Sequence, residues 1–188
     1  MSSDRDRGEI ILINGASSAG KTTLARQLQQ TLQAPFWHIS FDHLRDSNAL
    51  PWSRILNREL NWLEMRPAVF DGFHRCLPVL AAAGNNLIVD HIIETEAWLA
   101  DLVGLLSDCD VFAVGVHCPL AELERRERER GDRRSGEAKA DFQVVHSFVE
   151  YDLEVDSTQP VEANAAAVID AWTHRVRPSA FDRMAARK

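Results

Sequence analysis

Apolar residues along this chain form two alternating patterns, short continuous runs and longer segments in which they recur at helical spacing. The short runs predict five buried strands, at residues 10–14, 36–40, 86–90, 111–117 and, more weakly, 153–156. The longer segments predict helices, at residues 22–32, 68–83, 96–106, 120–130 and 161–174. Strands that alternate with helices are typical of an α/β fold, in which helices flank a parallel sheet.

This alternation predicts a single domain over residues 1–188. Because crossovers between parallel strands are right-handed, the loops after the strands meet at one edge of the sheet, where ligands bind. A candidate acceptor region covers about residues 42–75, and its stretch 46–66 is the least regular of the chain. We expect flexible ends at residues 1–7 and 178–188.

A phosphate-binding loop follows directly on the first predicted strand. It comprises Gly15, Ala16, Ser17, Ser18, Ala19, Gly20, Lys21 and Thr22, and we expect these residues and Thr23 to contact a nucleotide. Glycines at this spacing let the backbone N–H groups surround an anion. In such a loop Lys21 reaches the β and γ phosphates, and the Thr22 hydroxyl binds Mg²⁺. The sequence therefore predicts a P-loop NTPase or kinase fold with a five-stranded parallel sheet.

Composition excludes several other classes of protein. The chain of 188 residues has a formal net charge of −7, which argues against general affinity for nucleic acid. No stretch has the roughly 18 apolar residues of a membrane span, and the charged start is unlike a signal peptide, so we expect a cytoplasmic protein. Cys76, Cys109 and Cys118 are odd in number and lack Cys-x-x-Cys spacing, which argues against a disulfide framework or a zinc site.

Two aspartates lie where predicted strands end, near the phosphate loop. Asp42 follows the second strand and is a candidate base for the hydroxyl of a phosphoryl acceptor. Asp90 ends the third strand and is a candidate Mg²⁺ ligand, directly or through water. For both aspartates the alternative is an N-cap of the following helix. His91 follows Asp90 and either borders the acceptor or is structural.

Arginine is dense between residues 122 and 136. Pairs such as Glu122 with Arg126 stand four residues apart and would stabilise a solvated helix. However, Arg126, Arg130 and Arg133 recur into a segment bounded by glycines. This pattern predicts an arginine-rich lid at about residues 126–137, whose guanidinium groups close over the phosphates.

Four parts of the chain together resemble the chloramphenicol phosphotransferase family: the phosphate loop, Asp42, the segment 130–133 and the segment 144–158. The segments that read Gly-Asp-Arg, Val-Val-His and Tyr-Asp-Leu-Glu-Val-Asp are more specific than the loop. The resemblance implies an enzyme that uses ATP and Mg²⁺ to phosphorylate a hydroxyl of a small molecule, with chloramphenicol as a candidate. It implies that Asp42 is the catalytic aspartate, that Lys21 and Thr22 contact nucleotide and metal, and that Arg130 and Arg133 are catalytic lid arginines.

The residues that would set acceptor specificity look unlike those of the antibiotic enzymes. The stretch 46–66 is rich in Trp, Asn and Arg. Trp52 and Trp62 could stack on a flat ligand, but we expect them in the core or at an interface. The side chains of Phe70, Phe73 and His74 are core candidates first.

Other functions share part of this pattern. A small-molecule, nucleoside or nucleic-acid-end kinase of other specificity would have the same loop, aspartate and lid, although the acidic charge weakens the nucleic-acid version. A GTP-dependent switch would carry an Asn-Lys-x-Asp motif, which is absent from the sequence. A non-kinase ATPase or ATP-binding regulator would leave Asp42, Asp90 and the arginines unexplained. We therefore expect an ATP-dependent O-phosphotransferase with a small-molecule acceptor and antibiotic resistance as one candidate role. A homo-oligomer remains open.

Overall fold

The computed structural model describes residues 7–130 and 136–187. Its centre is a parallel sheet of strands β1 (Ile10–Asn14), β2 (Phe36–Ser40), β3 (Asn86–His91), β4 (Val111–His117) and β5 (Leu153–Asp156). The strand order is β2-β3-β1-β4-β5, and every neighbouring pair is parallel. The predicted α/β fold is therefore confirmed. Only the third strand differs from its predicted bounds, because it continues to His91.

Helices connect these strands and cover the sheet. They are α1 (Lys21–Thr31), α2 (Phe41–Asp46), α3 (Trp52–Leu56), α4 (Trp62–Ala82), α5 (Glu96–Leu105), α6 (Leu120–Arg130), α7 (Glu137–Val144), α8 (Val161–Thr173) and α9 (Ala180–Ala185). Helix α4 begins at Trp62 rather than at residue 68, because the side chain of Asn61 accepts a hydrogen bond from the Leu63 N–H. The irregular stretch 46–66 therefore contains a short helix and the start of a long one.

The core lies in two layers, one on each face of the sheet. Leu28 of α1 and Val168 of α8 pack on one face, while Leu77 of α4 and Leu102 of α5 pack on the other. Full burial of such a side chain contributes about 1.5–3 kcal/mol. Because both faces are covered, the central strand β1 is apolar from Ile10 to Ile13, with no alternation between apolar and polar residues.

The C-terminal segment differs from the flexible end that the sequence predicts. Residues 180–185 form α9, in which Phe181 is buried in the same layer as α4 and α5. Ser179 and Asp182 form a capping box at the start of this helix, each accepting a backbone N–H from the other. A cap and a buried aromatic side chain hold this segment on the sheet.

Within the described ranges, no helix has the length and apolar character needed to cross a membrane.

Strand β1 is flanked by β3 and β4, and the direction of the chain across the sheet reverses at this point. The loop after β1 therefore opens into a crevice at the carboxyl ends of the strands, which is where parallel sheets bind ligands.

Candidate active site

The loop between β1 and α1 has a backbone shape suited to an anion. Ser18 and Gly20 adopt positive φ angles of 63° and 92°. For the non-glycine Ser18 this conformation costs about 1 kcal/mol or more, a strain typical of functional loops. A Cβ atom on Gly15 would lie 2.6 Å from the Val116 carbonyl oxygen, so no larger residue fits without movement. Left-handed residues in such a loop turn successive N–H groups into one concavity.

Lys21 and Thr22 begin α1 and line the cleft below this loop, and Thr23 lies on its exposed rim. Lys21 is only 7% exposed, and its Nζ donates a hydrogen bond to the Ala16 carbonyl oxygen at 2.8 Å. The ammonium group is thus held within the loop. Ser17 and Ala19, like Ala16, are buried.

Asp90 lies beside the start of α1 because of the sheet register, which pairs Asp90 of β3 with Ile13 of β1. The Thr22 hydroxyl donates a hydrogen bond to Asp90 Oδ2 at 2.6 Å. Burial alone would raise the pKa of Asp90, but His38, Lys21 and Thr22 together hold it below its ordinary value. The alternative role of a helix cap does not hold, since Asp90 lies within β3 and α5 has its own N-cap.

An ionised carboxylate beside a hydroxyl is a donor set of hard oxygens, which suits Mg²⁺. Among the described residues, no group of three or more His, Cys, Asp or Glu side chains could hold a metal ion. A metal at Thr22 and Asp90 would therefore need further oxygens from phosphate or water, as is usual for Mg²⁺ in phosphoryl-transfer sites.

Asp42 lies in the first turn of α2 and lines the same cleft as Thr22 and Asp90. The N-cap of this helix is Ser40, whose hydroxyl accepts the His43 N–H. Ser40, rather than Asp42, therefore caps α2, so the alternative role of Asp42 as a helix cap does not hold. Its side chain is 32% exposed, and Arg45 Nη1 lies 3.1 Å from its Oδ1.

Arg126 joins α6 to the turn after β5. Its guanidinium donates to the Ser157 hydroxyl at 3.2 Å and to the Ser157 carbonyl oxygen at 3.1 Å, and it pairs with Glu122 at 2.7 Å. Arg126 also lines the cleft. Arg130 is the last residue of α6, but its side chain and Arg133 lie outside the described residues, as do the other residues of the segment 131–135 of the predicted lid.

Aromatic side chains form the wall of the cleft around Asp42. Phe41 stacks on Phe70 with ring centroids 4.5 Å apart, and Trp62 contacts both Phe41 and Trp52, the latter edge to face at 5.2 Å. Trp52 and Trp62 are half-buried and line the cleft, so neither lies in the core, and the alternative of an interface stays a prediction. Phe73 and His74 are buried, as the sequence predicts.

An ion pair interrupts this aromatic wall. Arg66 of α4 donates to Glu94 at 2.6 Å, and its guanidinium lies 4.6 Å from the centre of the Trp98 ring and 4.9 Å from that of Phe70. Burial raises the pKa of Glu94 against the effect of Arg66. The wall therefore presents both aromatic surface and a charged pair.

His91 forms part of the cleft floor and also has a structural partner. Its Nε2 lies 2.8 Å from Nε2 of His74 in a buried hydrogen bond, so one ring donates and the other accepts. Burial lowers the pKa of both histidines, and His74 lowers that of His91 further. Both rings are therefore neutral near pH 7.

The role of Glu127 is not evident from the sequence, in which it is one of many charged residues between 122 and 130. It is only 6% exposed, and its carboxylate accepts the N–H groups of Gly136 and Ala138, each at 2.9 Å. These bonds lower the pKa of Glu127 and fix the start of α7 on α6.

The segment that carries the most specific part of the resemblance packs behind the phosphate loop. Asn14, the last residue of β1, is fully buried and donates to the Val145 carbonyl oxygen at 2.9 Å and to the Tyr151 hydroxyl at 2.8 Å. The Tyr151 hydroxyl also bonds to His146 Nδ1 at 2.7 Å. Helix α7 makes a second contact, because Asp141 Oδ2 accepts the N–H of Ser17 at 2.9 Å.

Residues 8–173 of the chain match the model of the family described as chloramphenicol phosphotransferase-like protein. Two proteins from Mycobacterium tuberculosis strains CDC 1551 and H37Rv are each 32% identical over 197 residues. The alignment covers 94% of this chain and 88% of each relative, and their provisional names describe both as O-phosphotransferases.

Solved structures show the same fold at lower identity. The M. tuberculosis APS kinase CysC, in complex with AMPPNP and APS, has a TM-score of 0.68 at 22% identity and covers 89% of this chain and 98% of its own. Shikimate kinase from Acinetobacter baumannii, in complex with shikimate, has a TM-score of 0.59 at 15% identity and covers 92% and 97%. The P-loop kinase fold is thereby confirmed.

Proposed function

The chain belongs to the chloramphenicol phosphotransferase-like family, and we propose that it is an ATP-dependent O-phosphotransferase that phosphorylates a hydroxyl of a small molecule. The observation that carries this proposal is one cleft of about 1060 Å³ shared by the phosphate loop, the Thr22 and Asp90 pair, and Asp42. A cleft of this size exceeds a typical single-ligand pocket. It has room for a nucleotide and an acceptor side by side.

The donor half of the site comprises residues 15–23, Asp90 and Arg126. Here the loop N–H groups and Lys21 bind the phosphates, and Arg126 lies over the loop from α6. Thr22 and Asp90 would hold Mg²⁺, which when bound neutralises charge on the β and γ phosphates. The bond of Thr22 to Asp90 supports this role because it keeps both oxygens together.

The acceptor half comprises α2, α3, α4 and Glu94. We assign Asp42 as the base that accepts the proton of the acceptor hydroxyl while that oxygen bonds to the γ phosphorus and ADP leaves. Arg45, 3.1 Å from Asp42, fixes the direction of the carboxylate. Arg130 and Arg133 are assigned, as lid arginines, to the charge that develops on the transferred group.

The aromatic wall of Phe41, Trp52 and Trp62 supports an acceptor with a flat or apolar ring. Chloramphenicol is one candidate because of the family to which the chain belongs, and antibiotic resistance is the corresponding biological role. A kinase with a more polar acceptor is the second candidate. The Arg66 and Glu94 pair in the same wall favours this second candidate. A polar acceptor could form hydrogen bonds with the exposed parts of this ion pair, whereas a purely apolar ring could not.

The test is acceptor-dependent release of ADP. Purified protein with ATP and Mg²⁺ is assayed alone and with chloramphenicol, nucleosides, sugars and nucleic-acid 5′ ends, and the products are identified by mass spectrometry. We expect one acceptor class to give one phosphorylated product for each ADP. ATP hydrolysis that no acceptor accelerates would instead support an ATPase. Failure to bind ATP would overturn the proposal.

A further inference from the structure

His38 of β2 has a buried side chain that the proposed chemistry does not use. The side chain is only 6% exposed. Among the residues that the structure describes, its Nε2 is one of two buried side-chain polar atoms without a hydrogen-bond partner. Burying a polar atom in this way costs free energy, and an apolar side chain at the same position would avoid that cost. A buried and unsatisfied ring nitrogen therefore calls for an explanation.

The strand register brings this ring beside Asp90. Strands β2 and β3 pair Ser40 with Asp90 and His38 with Ile88, and alternate residues of a strand lie on the same face of a sheet. His38 therefore lies on the face that packs against α1, where Phe36 and Ile88 are buried. From this position its Nε2 lies 3.6 Å from Asp90 Oδ2.

This contact needs little movement to become a hydrogen bond. Because N–H···O bonds in proteins span about 2.7–3.2 Å, a shift of about 0.5 Å closes the distance. Asp90 Oδ2 already accepts the Thr22 hydroxyl at 2.6 Å. An ionised carboxylate only accepts hydrogen bonds, so the His38 nitrogen that faces it, Nε2, has to carry a proton. Two donors, from β2 and from α1, would then hold one carboxylate from two sides.

Asp90 is one of the two side chains that we assign to Mg²⁺. Groups that hydrogen-bond to a metal-binding side chain fix its orientation, and loss of such a group typically lowers metal affinity about 10- to 100-fold. Mg²⁺ also demands a nearly ideal octahedral arrangement of its oxygens. A carboxylate that can rotate freely would meet this demand less well than one that is held in place.

We propose that His38 is a positioning residue whose Nε2–H holds the Asp90 carboxylate in place for Mg²⁺. The proposal rests on the proposed function, because it takes Thr22 and Asp90 as the metal side of an ATP site. It predicts that His38 affects nucleotide binding only when Mg²⁺ is present. A histidine that served packing alone would affect binding equally with and without the metal.

The decisive variant is His38→Leu, which removes the Nε2–H donor and places an apolar side chain in the layer beside α1. Dissociation constants for the non-hydrolysable nucleotide AMPPNP are measured by calorimetry, once with saturating Mg²⁺ and once with EDTA. With Mg²⁺ we expect the variant to bind AMPPNP about tenfold more weakly than the wild-type protein. With EDTA we expect the two constants to agree within the error of the measurement, because His38 acts through the metal site.

His38→Gln is the conservative variant, because its side-chain amide can replace the Nε2–H donor. We expect it to restore most of the affinity that depends on Mg²⁺. The matched control is His43→Leu, which removes the neighbouring imidazole and leaves the Nε2–H of His38 in place. The two rings pack edge to face with centroids 4.6 Å apart, and we expect wild-type affinity from this control under both conditions. Urea titration verifies the fold of each variant, and His38→Phe makes the same test if His38→Leu does not fold.

Unchanged affinity for AMPPNP with Mg²⁺ in His38→Leu would overturn the inference. Equal losses with Mg²⁺ and with EDTA would show a packing role and would overturn it too, as would a His38→Gln variant that binds as weakly as His38→Leu. If the wild-type protein binds AMPPNP equally well with and without Mg²⁺, the metal assignment of Thr22 and Asp90 fails, and the role of His38 fails with it. If the wild-type protein does not bind AMPPNP at all, the proposed function itself fails.

Discussion

The donor and acceptor halves of the site are built by different means. In the proposed donor half, residues 15–19 and Lys21 are buried, and the proposed binding groups are mainly backbone N–H groups of the loop after β1. In the proposed acceptor half, Phe41, Trp52 and Trp62 are half-buried, and the proposed binding groups are side chains of α2, α3 and α4. A site made from backbone depends on conformation, whereas one made from side chains depends on residue identity.

The largest effect is expected from Lys21→Ala, because this side chain is the buried cation of the donor half. We expect kcat/KM to fall roughly 10²- to 10³-fold, the scale of losing one preorganised charge donor, together with weaker ATP binding. Steady-state kinetics and calorimetry measure the two effects. Lys139→Ala removes an exposed lysine of α7 as the control. Wild-type kinetics in Lys21→Ala would contradict the phosphate-loop assignment.

Asp42→Asn should separate the two proposed halves, because Asp42 is assigned to the acceptor half as the base for the acceptor hydroxyl. We expect kcat to fall about 10²-fold or more, the scale of losing a general base, while the dissociation constant for ATP stays within twofold. The control is Asp46→Asn on the same helix, whose carboxylate also pairs with Arg45 and is 63% exposed. Equal effects of the two substitutions would remove Asp42 from the mechanism.

Gly115→Ala tests how strongly the donor half depends on packing. A Cβ atom at Gly115 would lie 2.8 Å from the Tyr151 ring, and Tyr151 bonds to Asn14 beneath the loop. We expect the free energy of unfolding to fall by about 1–3 kcal/mol, measured by urea titration. Gly72→Ala in α4 meets nothing within 4 Å and should raise stability by about 1 kcal/mol. Equal stability changes at both glycines would contradict this account.

The smallest effect is expected at the aromatic wall. Trp62→Ala removes ring contacts with Phe41 and Trp52, and we expect KM for the acceptor to rise about three- to tenfold, with no change in ATP affinity. Trp37→Ala is the control, because Trp37 lies on the edge strand β2 and is 49% exposed. A change in ATP affinity as large as the change in acceptor KM would show that the two halves are coupled.

The parts of this molecule that sequence reasoning could predict are those where local pattern determines structure. The apolar runs of the inner strands β1, β3 and β4 are almost wholly buried, whereas the edge strands β2 and β5 keep exposed residues. The loop spacing fixes where Lys21 and Thr22 begin a helix. The position of Asp90 follows from the same logic, since a strand beside β1 carries its last residues to the loop. The strands and the loop need no knowledge of how distant segments meet, whereas the position of Asp90 also depends on the pairing of β3 with β1.

Other features depend on contacts between segments far apart in the chain. In the sequence, Glu127 is one of several charged residues on a helix that is expected to be solvated. In the fold its carboxylate is buried and accepts the N–H groups of Gly136 and Ala138 at the start of α7. Asp141 likewise meets the phosphate loop only in the folded chain, where its carboxylate accepts the Ser17 N–H. The sequence favours the core or an interface for Trp52 and Trp62 over the cleft wall, because aromatic residues have the same pattern in all three. Arg133 lies outside the described residues, so its lid role stays a prediction.

Helices α2 and α3 contribute few buried side chains to the core, and this bears on how the acceptor specificity of this fold can change. Helix α2 has no buried residue, and α3 has only Ile55, so the two hydrophobic layers scarcely depend on them. We therefore expect that residues 46–60 can be exchanged as a cassette between related chains at little cost in stability, while Arg45 keeps its contact with Asp42. Under the proposed function, acceptor preference can then change between such chains while the proposed nucleotide site stays the same.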